Sequence, residues 1–132
     1  MEAPVTKILY VEDNDDNIYM ITRRLGRYGY EVIVAKDGEE GIAMVHSEAP
    51  SLILMDLDLP VVDGWEATRR LKGSDETRHI PVIAVSAYAM DSDRERAFAA
   101  GCDDFFSKPV DLKGLLEGIE SLLPDGEVLR AK

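Results

Sequence analysis

The sequence predicts an α/β fold: a doubly wound, five-stranded parallel sheet with helices on both faces. Three observations carry that expectation. Short apolar runs, Ile8-Leu9-Tyr10-Val11, Leu52-Ile53-Leu54-Met55 and Val82-Ile83-Ala84-Val85, recur along the chain and read as strands buried on both faces. Segments with apolar residues at helical spacing separate the runs, so strand and helix alternate as right-handed βαβ crossovers require. Four of the five runs end in residues that can do chemistry: Glu12-Asp13, Asp56, Ser86 and Lys108-Pro109. Ligands of open parallel sheets sit at the carboxyl ends of the strands. Acid pair, acid, hydroxyl and lysine therefore predict one polar site at one sheet edge.

Each element follows from local pattern. After the first strand, Ile18, Ile21, Leu25 and Tyr28 recur at helical spacing, with Asp15 and Asp16 in the favourable first turn. Gly29 is expected to end that helix. The strand Glu31 to Ala35 runs without chemistry into Lys36-Asp37-Gly38. Asp37 can cap the next helix, with Glu40 placed to complete a capping box. That helix turns Ile42 and Val45 inward and stops before Pro50. The strand Leu52 to Met55 leads into a loop from Leu57 to Gly64 that holds Pro60. A helix from about Trp65 to Lys72 presents Trp65, Thr68 and Leu71 on one side, and Gly73 to His79 is a polar connection. The strand Val82 to Ser86 precedes a helix that begins near Asp91 and carries a weak apolar stripe, chiefly Ala97 and Phe98. Phe105-Phe106-Ser107 forms the last strand. In the final helix Leu112, Leu115, Leu116, Ile119, Leu122 and Leu123 fit one face, and Pro124 closes it.

Composition bounds the function. The 132 residues suit one domain with one sizeable core, read as residues 1–123 followed by a tail or linker start at 124–132. A formal net charge of -11 argues against nucleic acid and anionic membrane surfaces, because phosphate neutralisation needs a basic face. One cysteine, Cys102, excludes an internal disulfide framework. No apolar run approaches a membrane span, and Met1-Glu2-Ala3-Pro4 lacks a secretion-signal pattern. A cytoplasmic location is the simplest expectation.

With the strand order 2-1-3-4-5, borrowed from known doubly wound sheets, the first and third strands are neighbours. Glu12, Asp13 and Asp56 then meet at their carboxyl ends. Two carboxylates about 4 Å apart repel by roughly 4 kcal/mol at an effective dielectric near 20, so something must offset the cluster. An oxygen-rich site that is not a full cage suits Mg²⁺, and Lys108 brings a further positive charge. Taken singly, Glu12-Asp13 reads as helix capping and Asp56 as turn chemistry. It is their convergence that points to a site. A hydroxyl (Ser86) and an ammonium (Lys108) near a cation suit a phosphoryl group, with Asp56 as carboxylate nucleophile. Pro109 fixes the backbone where Lys108 must point back, and the sequence leaves its isomer open.

The ordered set Ile8 to Asn14 (ILYVEDN), Leu52 to Gly64 (LILMDLDLPVVDG), Pro81 to Ala89 (PVIAVSAYA) and Gly101 to Pro109 (GCDDFFSKP) resembles the receiver domain of two-component response regulators. The likeness runs from Lys7 to about Leu123, as in single-domain regulators and hybrid-kinase receivers. It implies the flavodoxin-like fold of the chemotaxis regulators. It also implies that Asp56 accepts a phosphoryl group from a phosphohistidine on a sensor histidine kinase or histidine phosphotransferase. Asp13, Asp56 and the backbone carbonyl of Asp58 would bind Mg²⁺ directly, and Glu12 through water. Ser86 would close on the phosphoryl group and Lys108 would pair with one of its oxygens. Phe105 holds the aromatic switch position, where relatives often carry Tyr; its ring would turn inward as Ser86 moves. Its bland alternative is a permanently buried core residue. Asp58 and Tyr88 stand at positions that tune phosphoryl lifetime in the family.

The resemblance implies a phosphorylation-controlled binding switch whose output surface is the fourth helix, last strand and last helix. A downstream protein partner would read it, with the chain a monomer or a phosphorylation-promoted dimer. The enzyme alternative is a haloacid-dehalogenase-like, Mg²⁺-dependent phosphatase using Asp56 as nucleophile, because Asp56-Leu57-Asp58 is an Asp-x-Asp after a strand. Pro60 and Val61 stand where that family places Thr, and no cap insertion excludes water. A flavodoxin-like cofactor binder lacks its glycine-rich phosphate loop here. His46 and His79 read as surface residues, Cys102 as a small buried side chain, and Trp65 as a packing residue.

Overall fold

A computed structural model of the chain describes residues 5–59, 61–87 and 90–123. Five strands and five helices alternate: β1 Lys7–Val11, α1 Asp15–Gly26, β2 Glu31–Ala35, α2 Gly38–Glu48, β3 Leu52–Asp56, α3 Gly64–Lys72, β4 Val82–Ser86, α4 Asp91–Ala100, β5 Asp104–Ser107 and α5 Leu112–Leu122. The strands form one parallel sheet in the order β2-β1-β3-β4-β5. β3 and β4 are buried at every position, which is why their sequences are apolar runs and not alternating patterns.

Strand periodicity divides the core into two layers. Leu9, Val11, Ile53, Met55, Val82, Ala84 and Phe105 point toward Val45, Trp65, Ala67, Leu71 and Ala97 of α2, α3 and α4. Ile8, Tyr10, Leu52, Leu54 and Ile83 point the other way, toward Ile21 and Leu25 of α1 and Leu115 and Ile119 of α5. Tyr10 lies opposite Val34 on one side and Leu54 on the other.

The local expectations hold with three differences. α1 stops at Gly26, short of Gly29. The N–H groups of Tyr28 and Gly29 bond to the carbonyls of Leu25 and Gly26, three residues back, so the helical ladder gives way to a turn. Gly29, at φ 90°, supplies the left-handed residue inside that turn. Asp37 caps α2 by accepting from the Glu40 N–H at 2.8 Å, but the Glu40 carboxylate reaches the N–H of Lys36, one residue beyond the box position. In α4 Ala97 is buried while Phe98 is 43% exposed, so the helix is anchored by alanines alone and the apolar stripe is narrower than its sequence suggests. Pro60, Tyr88, Pro124 and the segment 124–132 lie outside the described residues.

Candidate functional site

The acids converge at the carboxyl edge of the sheet because β1 and β3 are neighbours in register. The Glu12 N–H bonds to the Ala35 carbonyl at 2.9 Å, extending the β1–β2 ladder by one residue. Asp56 ends β3 opposite Val85, and the Leu57 N–H bonds to the Val85 carbonyl. Carboxylate oxygens of Glu12, Asp13 and Asp56 all lie within 4.8 Å of one another. Glu12 and Asp56 are each only 1% exposed, whereas Asp13 opens to solvent. Lys108 Nζ stands 3.3 Å from Glu12 Oε1 and 3.2 Å from Asp56 Oδ2, bridging the two buried acids. Its backbone N–H bonds to the Ser86 carbonyl at 2.8 Å, which ties the end of β5 to the end of β4. The Lys108-Pro109 peptide is cis.

Three carboxylates against one ammonium leave an excess of negative charge, and the titration behaviour reflects it. Burial pushes the Asp56 carboxyl up to about 7, the contact with Glu12 adds to the rise, and the Asp58 N–H opposes it. Burial also acts on Glu12, but its hydrogen bond with Asp56, the Lys108 charge and donors from Tyr10 and Asn14 bring it below the usual carboxylate range. Of the two acids, Asp56 is therefore the one that takes up a proton first as pH falls. Lys108 stays charged: burial pulls its ammonium down, and the two carboxylates more than restore it. An all-oxygen donor set, half buried and open on the Asp13 side, with unneutralised negative charge, fits a hard divalent cation that keeps several waters.

Ser86 is fully buried at the end of β4. Its hydroxyl donates to Asp58 Oδ2 at 3.4 Å, and the Ala87 N–H reaches the same oxygen at 3.3 Å. The Asp58 N–H donates to Asp56 Oδ1 at 3.0 Å, so Asp58 touches Asp56 through its backbone and the Ser86 loop through its side chain. Phe105 is 3% exposed within the core layer facing α2, α3 and α4. The Arg94 guanidinium of α4 lies 5.2 Å from its ring centroid. Gly64 opens α3 directly beside Asp56: a Cβ there would fall 2.2 Å from the Asp56 carbonyl oxygen.

Residues that sequence reasoning passes over also belong to the site. The Tyr10 hydroxyl donates to Glu12 Oε1 at 3.0 Å, Asn17 Nδ2 to the same oxygen at 3.3 Å, and the Asn14 N–H to Oε2 at 3.3 Å. Strand parity is the available signal, since residues 10 and 12 share a face. Away from the site, His46 and His79 are exposed. Burial raises the Cys102 thiol to about 11, which makes it inert. Trp65 is 8% exposed in the core, with the Arg96 guanidinium 4.2 Å from its ring centroid.

A 2-1-3-4-5 parallel sheet whose β1, β3, β4 and β5 ends bring an acid triad, a hydroxyl and a lysine to one edge defines the receiver class. The chain belongs to the response regulator receiver domain family, whose sequence model matches residues 8–120. It is 43% identical over 118 residues to the polar-differentiation response regulator DivK of Brucella anthropi, covering 89% of this chain and 96% of that protein. Among solved structures, a response regulator from Chloroflexus aurantiacus superposes with a TM-score of 0.86 at 27% identity, covering 90% of this chain and 98% of that one. The receiver domain of a sensor histidine kinase from Pseudomonas aeruginosa, which holds a magnesium ion in its active-site cleft, superposes with a TM-score of 0.83 at 34% identity. It too covers 90% of this chain, and 98% of its own. Family membership places the chain among signalling receivers and not among haloacid-dehalogenase-like phosphatases. No helix among the described residues is long and apolar enough to cross a membrane.

Proposed function

We propose that the chain is a phosphorylation-dependent switch in which Asp56 accepts a phosphoryl group from a phosphohistidine of a sensor histidine kinase or histidine phosphotransferase. The observation that carries this reading is the Lys108 ammonium, 3.2 Å from Asp56 Oδ2 and 3.3 Å from Glu12 Oε1, beside three convergent carboxylates. Asp13, Asp56 and the Asp58 carbonyl would hold Mg²⁺ directly and Glu12 through water. Bound there, the cation supplies positive charge against the carboxylates and the phosphoryl oxygens.

An Asp56 carboxylate oxygen attacks phosphorus, the P–N bond to the donor imidazole breaks, and the imidazole leaves with the electron pair. The Asp58 N–H holds the other Asp56 oxygen and aims the nucleophile. Lys108 transfers from its carboxylate partners to a phosphoryl oxygen, and Ser86 leaves Asp58 to donate to another. Because the Lys108 N–H is bonded to the Ser86 carbonyl, the two movements are mechanically linked. Phe105 on β5 and Arg94 on α4 lie directly behind, so the change is carried to the α4-β5-α5 surface, which a downstream protein reads. We read the chain as a cytoplasmic monomer or phosphorylation-promoted dimer, with residues 1–123 as the receiver domain and 124–132 as a tail or linker start.

Intact mass after incubation with acetyl phosphate tests this function. One phosphoryl group is expected on the wild type with Mg²⁺, and none with chelator or on Asp56→Asn. Phosphate that persists on Asp56→Asn would overturn the assignment.

A further inference from the structure

We infer that Tyr10 and Asn17 are positioning residues for the cation site: their side chains clamp Glu12 Oε1 and so present Oε2 toward the metal. The inference rests on the reading of Glu12, Asp13 and Asp56 as that site. Three donors meet on Oε1, namely the Tyr10 hydroxyl at 3.0 Å, Asn17 Nδ2 at 3.3 Å and Lys108 Nζ at 3.3 Å. Oε2 accepts the Asn14 N–H, at 3.3 Å, and Asp56 hydrogen-bonds to the same carboxylate. An oxygen with three donors has little capacity left for a cation or its water, so the asymmetry divides the labour within one carboxylate. Oε1 is the structural end and Oε2 the ligand end.

Tyr10 can hold that geometry because its ring is fixed. It is 3% exposed on the central strand β1, flanked by Val34 and Leu54 and packed in the core layer under α1 and α5. Its hydroxyl is therefore placed by the sheet itself, with almost no rotamer freedom. Asn17 approaches from the first turn of α1, whose start is held by Asn14 Oδ1 accepting from the Asn17 N–H at 2.9 Å. Sheet and helix thus grip one oxygen from two sides. The clamp has a second consequence. Tyr10 and Asn17 compete with Lys108 for Oε1, which weakens Glu12's hold on the ammonium that must leave for the phosphoryl group.

The test is calorimetric titration of Mg²⁺ into wild type, Tyr10→Phe and Asn17→Ala, paired with the Mg²⁺ dependence of phosphorylation by acetyl phosphate. Loss of an outer hydrogen-bond partner of a metal ligand typically weakens binding by about tenfold or more. Each variant is expected to raise the Mg²⁺ dissociation constant by about tenfold. The double variant should fall short of the product of the two effects, because both donors serve one oxygen. At saturating Mg²⁺ the remaining effect on phosphorylation should be smaller than the loss of Mg²⁺ affinity, a split between affinity and rate that general loosening of the fold would not produce. If Tyr10→Phe does not fold, Asn17→Ala decides, since its side-chain amide donates to Glu12 and its backbone cap survives the change. Wild-type affinity in the folded variants overturns this inference alone. Absence of Mg²⁺ binding by the wild type overturns the cation site, and the inference with it.

Discussion

Asp56 is held between a second buried carboxylate and a single ammonium, in a volume that water barely enters. Its folded-state value of about 7 lies above its ordinary value of 3.8. The folded protein therefore binds the extra proton between those limits. The associated stability is fully present below about pH 4 and is lost as pH rises through about 7. Without divalent cation, the wild type should become less stable from about pH 5 to about pH 8, a window above the titration of Glu12. Asp56→Asn should flatten that slope and stabilise the protein at about pH 8 by on the order of 1–3 kcal/mol, read by denaturant unfolding in chelator. Added Mg²⁺ should narrow the gap by stabilising the wild type selectively. Lys108→Ala leaves the three carboxylates in place, so Mg²⁺ binding should persist. The response of α4 to a phosphoryl analogue should disappear, and an unchanged response in amide exchange would remove Lys108 from the relay.

At the scale of elements, the ends of strands and the starts of helices build the site together. Gly64 lets the first turn of α3 rest on the backbone that carries Asp56. A Cβ there meets the Asp56 carbonyl oxygen at 2.2 Å and Leu57 Cα at 2.7 Å, both main-chain atoms that cannot swing aside. Gly64→Ala should cost about 1–3 kcal/mol and slow phosphorylation as the loop moves off the acceptor. Unfolding and acetyl phosphate kinetics measure the two effects. α4 is the element with the least to hold it. Its buried side chains are Ala97 and Ala100, its N-terminal Met90 is 72% exposed, and Phe98 stands out of the core.

At the scale of the molecule, that uneven anchoring gives the fold a firm half and a yielding half. β1 and β3 are flanked on both sides, and their residues fill both core layers. Hydrogen exchange should be slowest there and fastest in α4. Binding of beryllofluoride with Mg²⁺ should change exchange in α4 and β5 most. A change confined to α1 and α2 would contradict an α4-β5-α5 output. Arg94, 5.2 Å from the Phe105 ring, is the contact through which a shift of β5 would reach α4.

The acids, the hydroxyl and the lysine are legible in the sequence because each follows an apolar run, and strand ends of a parallel sheet share one edge. Helix caps such as Asp37 are legible because capping is a matter of three or four neighbouring residues. The end of α1 falls before Gly29 because a glycine signals a left-handed residue without saying whether it sits at the cap or within the following turn. Phe98 turns outward, against expectation, because a weak stripe does not tell which face the sheet covers. Tyr10 looks like strand filler in the sequence, since its hydroxyl acquires a role only when α1 and β5 bring Asn17 and Lys108 to the same oxygen. The sequence by itself determined the alternation of elements, the edge where chemistry gathers and the residue types that gather there, all of which depend on local periodicity. Strand order, the sharing of Lys108 between two acids, the raised Asp56 carboxyl and the grip on Glu12 were decided by tertiary structure alone, because distances between residues far apart in the chain and the exclusion of water exist only once the sheet has closed.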